Sequence, residues 1–115
     1  MTILLVGLGG VGGVLLRYGL TEWLQSIWTV AAVNAVGSFA LGLLVQAGGG
    51  LPADVRLALG VGFLGGFTTL STLTVQTVLE ADAGRPGTAA LYFAVSTFGG
   101  LACALAGSLT GRALS

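Results

Sequence analysis

Long uncharged stretches of mostly apolar residues dominate the chain, and the few charged side chains separate them. The uncharged runs cover residues 1–16, 23–53, 57–79 and 86–111. A helix needs about 20 mostly apolar residues to cross a bilayer. The pattern therefore predicts four membrane helices, near residues 2–20, 27–48, 54–79 and 86–112. The first run is short, but Arg17 can extend its charged head toward the interface while its stem stays in lipid.

The segments between these helices are short and have the composition of turns. A triple glycine at residues 48–50 precedes Pro52, and Gly84 precedes Pro86, which are strong turn signals. Trp23 and Trp28 suit the membrane interface, where amphipathic rings are enriched. We therefore predict an all-α membrane protein in which residues 1–115 form a single four-helix membrane domain.

Composition supports lipid as the solvent of this chain. Hydrophobic residues make up 55% of it and charged residues 7%, whereas soluble domains carry about 25% charged residues. The net charge is zero and there is no histidine, so nothing indicates nucleic-acid binding or a side-chain metal cluster. The single cysteine, Cys103, excludes an internal disulfide. No nucleophile–base pair or phosphate-binding loop is present, and we predict that the protein is not an enzyme.

The arginines are distributed evenly between the two sides of the predicted membrane domain. Arg56 and Arg112 lie on the side of the termini, and Arg17 and Arg85 lie on the other. Orientation normally follows an excess of Lys and Arg in cytoplasmic loops, and here there is none. We therefore hypothesise dual topology, in which copies insert both ways, with a weak bias set by other determinants as the alternative. The first run lacks the basic start of a signal peptide and is interpreted as a retained helix.

Small residues recur at the four-residue spacing that lets membrane helices approach closely. Gly9 and Gly13 form one such pair, and Gly62 and Gly66 form another. The last helix carries a longer stripe of small residues, Gly99, Cys103, Gly107 and Gly111. The spacing predicts tight packing, either within one subunit or between subunits.

Polar side chains deep in the predicted spans are neutral. The second span contains Asn34; the third contains Thr68, Thr72 and Gln76 four residues apart; the fourth contains Tyr92 and Ser96. Residues four apart share a helix face, so these files of donors could replace the water of a passing anion. The alternative is that each hydroxyl bonds to its own helix. No acid lies deep in a span, which argues against a proton-coupled exporter.

The segment GFLGGFTTLSTLTVQ, residues 62–76, is predicted to interrupt the third helix. Gly65 and Gly66 are poor helix formers, and the following threonines compensate little. Irregular backbone at membrane depth persists only where protein buries it or where it lines a cavity. Its free carbonyls could hold a small cation such as Na⁺, or they could be satisfied internally at a simple kink.

Four short motifs, one in each span, resemble the Fluc (CrcB-type) fluoride channels of bacteria. They read GGVGGVLLRY at residues 9–18, NAVGSFALG at 34–42, GFLGGFTTLSTL at 62–73, and Tyr92 with Ser96 ahead of GGLACALAG. The resemblance covers all four spans in order. It implies an antiparallel, dual-topology dimer in the inner cell membrane, with two narrow pathways for passive fluoride export at the subunit interface.

The resemblance also implies roles for individual residues. It assigns the carbonyls of Gly65 and Thr68 to a structural Na⁺ on the two-fold axis, and Arg17 to a vestibule. The fluoride pathway that it implies comprises Asn34, Leu70, Ser71, Thr72, Leu73, Gln76, Tyr92 and Ser96.

Three of these positions depart from the family pattern. The family usually has phenylalanine at the positions of Leu70 and Leu73, where ring edges face the ion, and glutamate at the position of Gln76. Three explanations stay open: a working homodimer, a pore-deficient subunit of a heterodimeric channel, and a poorly conducting variant. The alternative from another class is a non-conducting membrane assembly protein held together by its glycine stripes.

Overall fold

The computed structural model describes residues 1–115, which are helical apart from short connections. The helices are α1 (Thr2–Trp23), α2 (Ile27–Ala47), α3 (residues 53–67), α4 (Leu70–Asp82) and α5 (Pro86–Leu114). Four segments are long and apolar enough to cross a membrane, and the third of them, Ala53–Asp82, comprises α3 and α4. The predicted all-α fold, the four spans and the break in the third are confirmed.

Local signals in the sequence explain where the helices begin. Ser26 caps α2, because its hydroxyl accepts a hydrogen bond from the Trp28 N–H at 3.2 Å. Thr69 caps α4 in the same way through the Thr72 N–H at 3.3 Å. Pro86 occupies the first turn of α5, where no N–H is needed. Gly84 has a φ of 83°, a left-handed conformation that favours glycine in the turn before α5.

Helices α2 and α5 run parallel and pack closely through glycines. A side chain at Gly107 would collide with the Phe39 carbonyl, and one at Gly42 would lie 2.5 Å from the Ala104 carbonyl. Near the end of this pair, the Gln46 side-chain amide donates to the Ser108 hydroxyl at 3.2 Å. Part of the predicted small-residue stripe therefore packs within one subunit. Gly99, by contrast, has open space around it.

Helices α1 and α3 form a second parallel pair, also through glycines. Gly13 faces the Phe63 carbonyl, and a side chain at Gly66 would lie 2.7 Å from the Gly10 carbonyl. Within α3, residues Ala58–Leu64 are π-helical, a rare conformation that is common near functional sites. Both predicted glycine pairs, 9 with 13 and 62 with 66, thus meet each other inside the chain.

The break between α3 and α4 is two residues long. Thr68 (φ −89°, ψ 156°) and Thr69 (φ −151°, ψ 122°) are extended. Gly65, which the sequence suggested as a cause of the break, is helical with φ −62° and ψ −37°. Gly37 on α2 has no side chain and faces the Thr68 methyl group. Gly37 and Gly66 therefore serve close packing around the break, and the threonines make the break itself.

Most residues of the single chain are at least partly exposed. Only 15 of the 115 residues are buried, and the principal dimensions are 49 × 30 × 19 Å. A small core unites Val30 and Ala31 of α2, Leu73 of α4 and Tyr92 of α5. The longest dimension, 49 Å, is close to the thickness of a bilayer with its headgroup regions, about 40–45 Å. The chain is a multi-pass membrane protein.

Candidate ion pathway at the helix break

Asn34 holds the extended break in place with both ends of its amide. Its Nδ2 donates to the Thr69 carbonyl at 2.9 Å, and its Oδ1 accepts from the Thr69 N–H at 2.8 Å. Backbone groups in a broken membrane helix must find partners inside the protein. Asn34 therefore supplies the pair of bonds that an adjacent strand would supply in a sheet.

Side chains satisfy some carbonyls of the break and leave others without a donor. The Thr68 hydroxyl donates to the Leu64 carbonyl at 3.1 Å, and Arg17 Nε donates to the Gly66 carbonyl at 3.1 Å. No side chain of the chain donates to the carbonyl of Gly65 or of Thr68. Carbonyl oxygens are ligands that a small hard cation prefers, but Gly65 and Thr68 line different surfaces of the single chain. A metal site built from side chains is not available, since no group of three His, Cys, Asp or Glu residues occurs.

A cavity of about 400 Å³ lies beside the break, and hydroxyl and amide side chains form part of its lining. It contains no charged side chain, and five of the predicted pathway and cation-site residues line it. The lining residues are Asn34, Ser38, Thr68, Thr69, Leu70, Leu73, Ser96, Thr97, Gly100, Leu101 and Ala104. Gly65 lies elsewhere, on a mostly apolar groove of about 710 Å³ that also includes Arg56.

Ser96 contributes the one buried side-chain polar atom that has no hydrogen-bond partner. Its residue is 6% exposed, and its Oγ bonds to no protein atom. A buried hydroxyl without a partner is rare and costs about 1–3 kcal/mol. Ser96 lines the cavity, and its enclosed hydroxyl is a donor with no acceptor in the chain.

A second polar surface lies on the other side of the first turns of α4. A groove of about 250 Å³ is lined by Ser71, Thr72, Val75 and Gln76. Thr69 connects it to the cavity, because its hydroxyl donates to the Thr72 hydroxyl at 3.2 Å and lies 3.4 Å from the Ser71 hydroxyl. The predicted pathway residues thus form two neighbouring groups that meet at the break.

Tyr92 joins this groove to the core and does not line either surface. Its side chain is 0% exposed, and its hydroxyl donates to Gln76 Oε1 at 2.7 Å. The Trp28 ring packs on Tyr92 edge to face with 5.5 Å between centroids. Because the Gln76 amide oxygen accepts the hydrogen bond from Tyr92, the amide nitrogen is left as a free donor beside Ser71 and Thr72.

The two leucines at the departures from the family pattern occupy different environments. Both line the cavity, but Leu70 is 71% exposed, whereas Leu73 is 4% exposed and packs in the core with Val30 and Tyr92. Phe63 and Phe67 stack on each other with 6.1 Å between centroids, and neither lines the polar cavity.

Three polar residues of this site were not predicted from the sequence: Ser38, Thr69 and Thr97. Ser38 lies one helical turn after Asn34, and Thr97 follows Ser96 directly. A four-residue spacing from Asn34 would have identified Ser38, since such residues share a helix face. Thr69 could not be recognised in this way because its role depends on the extended backbone.

Comparison with known proteins identifies the family. The family model described as "CrcB-like protein, Camphor Resistance (CrcB)" matches residues 4–108. A Thermus thermophilus protein, "Fluoride-specific ion channel FluC", is 45% identical over 96% of this chain and 94% of its own length. A Moorella thermoacetica protein, "Fluoride-specific ion channel FluC 2", is 42% identical over 99% of both chains. Such proteins are channels, not enzymes.

A Bacillus subtilis protein, also "Fluoride-specific ion channel FluC 2", is 40% identical over 96% of this chain and 87% of its own length. These relatives match the chain across all four spans, as does the family model. The chain therefore belongs to the CrcB/FluC family of fluoride-specific ion channels.

Proposed function

We propose that the chain, acting as a single membrane domain, is a subunit of a channel that exports fluoride passively across the bacterial cell membrane. The observation that supports this most is the cavity at the break, which no charged side chain lines and whose lining includes the buried Ser96, a hydroxyl without a partner. The names of the full-length relatives agree with this substrate.

The pathway suits a small anion because its donors are numerous and uncharged. An unpaired ion in a medium of low dielectric constant faces tens of kcal/mol, so hydroxyls and amides must replace its water. Ser96 and the Gln76 amide nitrogen are donors without a protein acceptor, and Thr72 retains its hydroxyl hydrogen. A fixed cation in the same place would trap the anion, whereas several weak sites allow it to leave.

Growth of a bacterial strain that lacks its own fluoride channel tests the direction and the physiological role. Expression of the chain is expected to restore growth at a fluoride concentration that stops the strain with an empty vector. Failure to restore growth, with the protein present in the membrane, would contradict export by this chain alone. Restoration only with a co-expressed homologue would favour the heterodimer.

The two leucines are the observation that favours the heterodimeric alternative, and their environments make it testable. Leu70→Phe is expected to raise fluoride flux, because the exposed position has room for a ring whose edge can face the ion. Leu73→Phe is expected to cost about 1–3 kcal/mol of stability, because its position in the core is already filled. Flux and thermal stability of both variants in one preparation would check this. If Leu70→Phe leaves flux unchanged, missing ring edges do not limit conduction.

We further propose that two subunits associate in antiparallel orientation around a structural Na⁺. The carbonyls of Gly65 and Thr68 would hold it, since no side chain donates to either. Bound Na⁺ would supply a positive charge to which carbonyls from both subunits are attracted. Dual topology is supported by the even distribution of arginines.

Sodium is expected to stabilise the dimer. A cation that binds only the folded dimer adds about 2.7 kcal/mol at a hundred times its dissociation constant. The dimer–monomer equilibrium in detergent should therefore shift toward dimer in NaCl relative to choline chloride at equal ionic strength. Equal dimerisation in the two salts would remove the Na⁺ site and would favour the non-conducting assembly protein.

A further inference from the structure

We propose that Arg17 is a positioning residue that anchors the end of α3 at the break, in addition to any role as a vestibule charge. This inference rests on the proposed function only where it concerns Na⁺. Its physical basis is a contact between the first and third spans at membrane depth.

The contact links a side chain of α1 to the backbone of α3. Arg17 Nε donates to the Gly66 carbonyl at 3.1 Å, and Arg17 is partly buried. Gly66 lies near the middle of the third span, Ala53–Asp82. The close approach of Gly13 to Phe63, one turn before Arg17 on α1, brings the guanidinium within reach.

Charge explains why an arginine suits this position. The last carbonyls of a helix lack intrahelical partners and carry partial negative charge, and Gly66 is the second-last residue of α3. Arg17 forms no salt bridge; the one ion pair of the chain joins Arg85 to Glu80 at 2.7 Å. A membrane-embedded arginine is stabilised by facing the protein interior and pairing with backbone carbonyls. The Gly66 carbonyl at the break thus gives Arg17 a hydrogen-bond acceptor, and Arg17 gives that carbonyl a donor.

The position of the bond connects it to the proposed cation site. In the sequence, Gly66 lies between Gly65 and Thr68. The carbonyls of Gly65 and Thr68 accept no hydrogen bond from a side chain. Fixing Gly66 therefore limits how the neighbouring peptide groups can turn. We expect loss of Arg17 to loosen the break first and to weaken Na⁺ binding as a consequence.

Hydrogen exchange tests the anchor without any reference to transport. The reporters are the amides of Thr68, which bonds to the Leu64 carbonyl at 3.0 Å, and Thr69, which bonds to Asn34. In Arg17→Met they are expected to exchange about tenfold faster than in the wild type, as for loss of a charged hydrogen bond. The matched control, Arg112→Met, removes the same charge at the end of α5 and should leave them unchanged. Exchange within twofold of the wild type in Arg17→Met would overturn the anchor.

A measurement on the wild type covers the case in which Arg17→Met does not fold. The Nε–H of Arg17, labelled with ¹⁵N, is expected to exchange slowly with water because the Gly66 carbonyl holds it. An Nε–H that points into a water-filled vestibule exchanges rapidly, and rapid exchange would overturn the proposal.

The dependence of fluoride flux on Na⁺ concentration distinguishes an anchoring role of Arg17 from a role as a vestibule charge alone. If Arg17 positions the break, Arg17→Met raises the Na⁺ concentration for half-maximal fluoride flux by about tenfold, and saturating Na⁺ restores the flux. If flux falls equally at every Na⁺ concentration, Arg17 acts only on the anion and the link to the cation site is wrong. Absence of flux in the wild type would bear on the proposed function alone, because the exchange measurements need no transport.

Discussion

Replacing Asn34 with aspartate is expected to reduce fluoride flux roughly a thousandfold at neutral pH. The carboxylate cannot donate to the Thr69 carbonyl, which Asn34 Nδ2 reaches at 2.9 Å. It also places a negative charge on the wall of the cavity. Two like charges 4 Å apart repel by about 4 kcal/mol at an effective dielectric constant of 20. Because protonation removes that charge, flux in Asn34→Asp should recover in part as the pH falls.

The control for Asn34→Asp is the same chemical change elsewhere on α2. Gln46 is also an amide, but it bonds to Ser108 at 3.2 Å and does not line the cavity. Gln46→Glu is therefore expected to retain most of the flux. Fluoride efflux from liposomes measures both variants, and unchanged flux in Asn34→Asp would remove Asn34 from the pathway.

Replacing Gly107 with alanine is expected to lower the free energy of unfolding by about 2–3 kcal/mol. The added methyl group would collide with the backbone carbonyl of Phe39, which cannot move away as a flexible side chain could. Helices α2 and α5 would have to separate, and with them Asn34 from Ser96. Thermal unfolding in detergent measures the loss.

Gly99→Ala is the matched control, because Gly99 lies two turns earlier on α5 and a methyl group there meets no atom of its own subunit. The two variants gain the same helix propensity. Equal stability of Gly107→Ala and Gly99→Ala would show that the close packing of α2 and α5 does not limit stability.

The fold could be predicted largely from where charges are absent. Runs without charge correspond to spans, and glycine, proline and capping residues define their ends, because these signals are local. The break was also predicted, but its cause was assigned to the glycines as well as to Thr68, and of these Thr68 is the extended residue. Gly65 is helical, because glycine is only a weak helix former and need not leave a helix. The extended residues are Thr68 and Thr69, which Asn34 and Gly37 accommodate from a different span.

The candidate site was less predictable because it depends on contacts between spans. Spacing alone placed Thr72 and Gln76 on one face, and the groove on α4 agrees with this. It could not distinguish the exposed Leu70 from the buried Leu73, nor show that the Tyr92 hydroxyl donates to the Gln76 amide oxygen. Likewise, the position of Arg17 in sequence says nothing of the Gly66 carbonyl, which is 49 residues away.

Fluoride efflux from liposomes that contain only the purified chain tests the central claim most directly. A fluoride electrode would record efflux driven by a fluoride gradient, with and without a proton gradient. We predict efflux well above that of empty liposomes and insensitive to the proton gradient, because no acidic or basic side chain lines the cavity. Efflux no faster than from empty liposomes would contradict the claim that this chain forms a fluoride channel on its own.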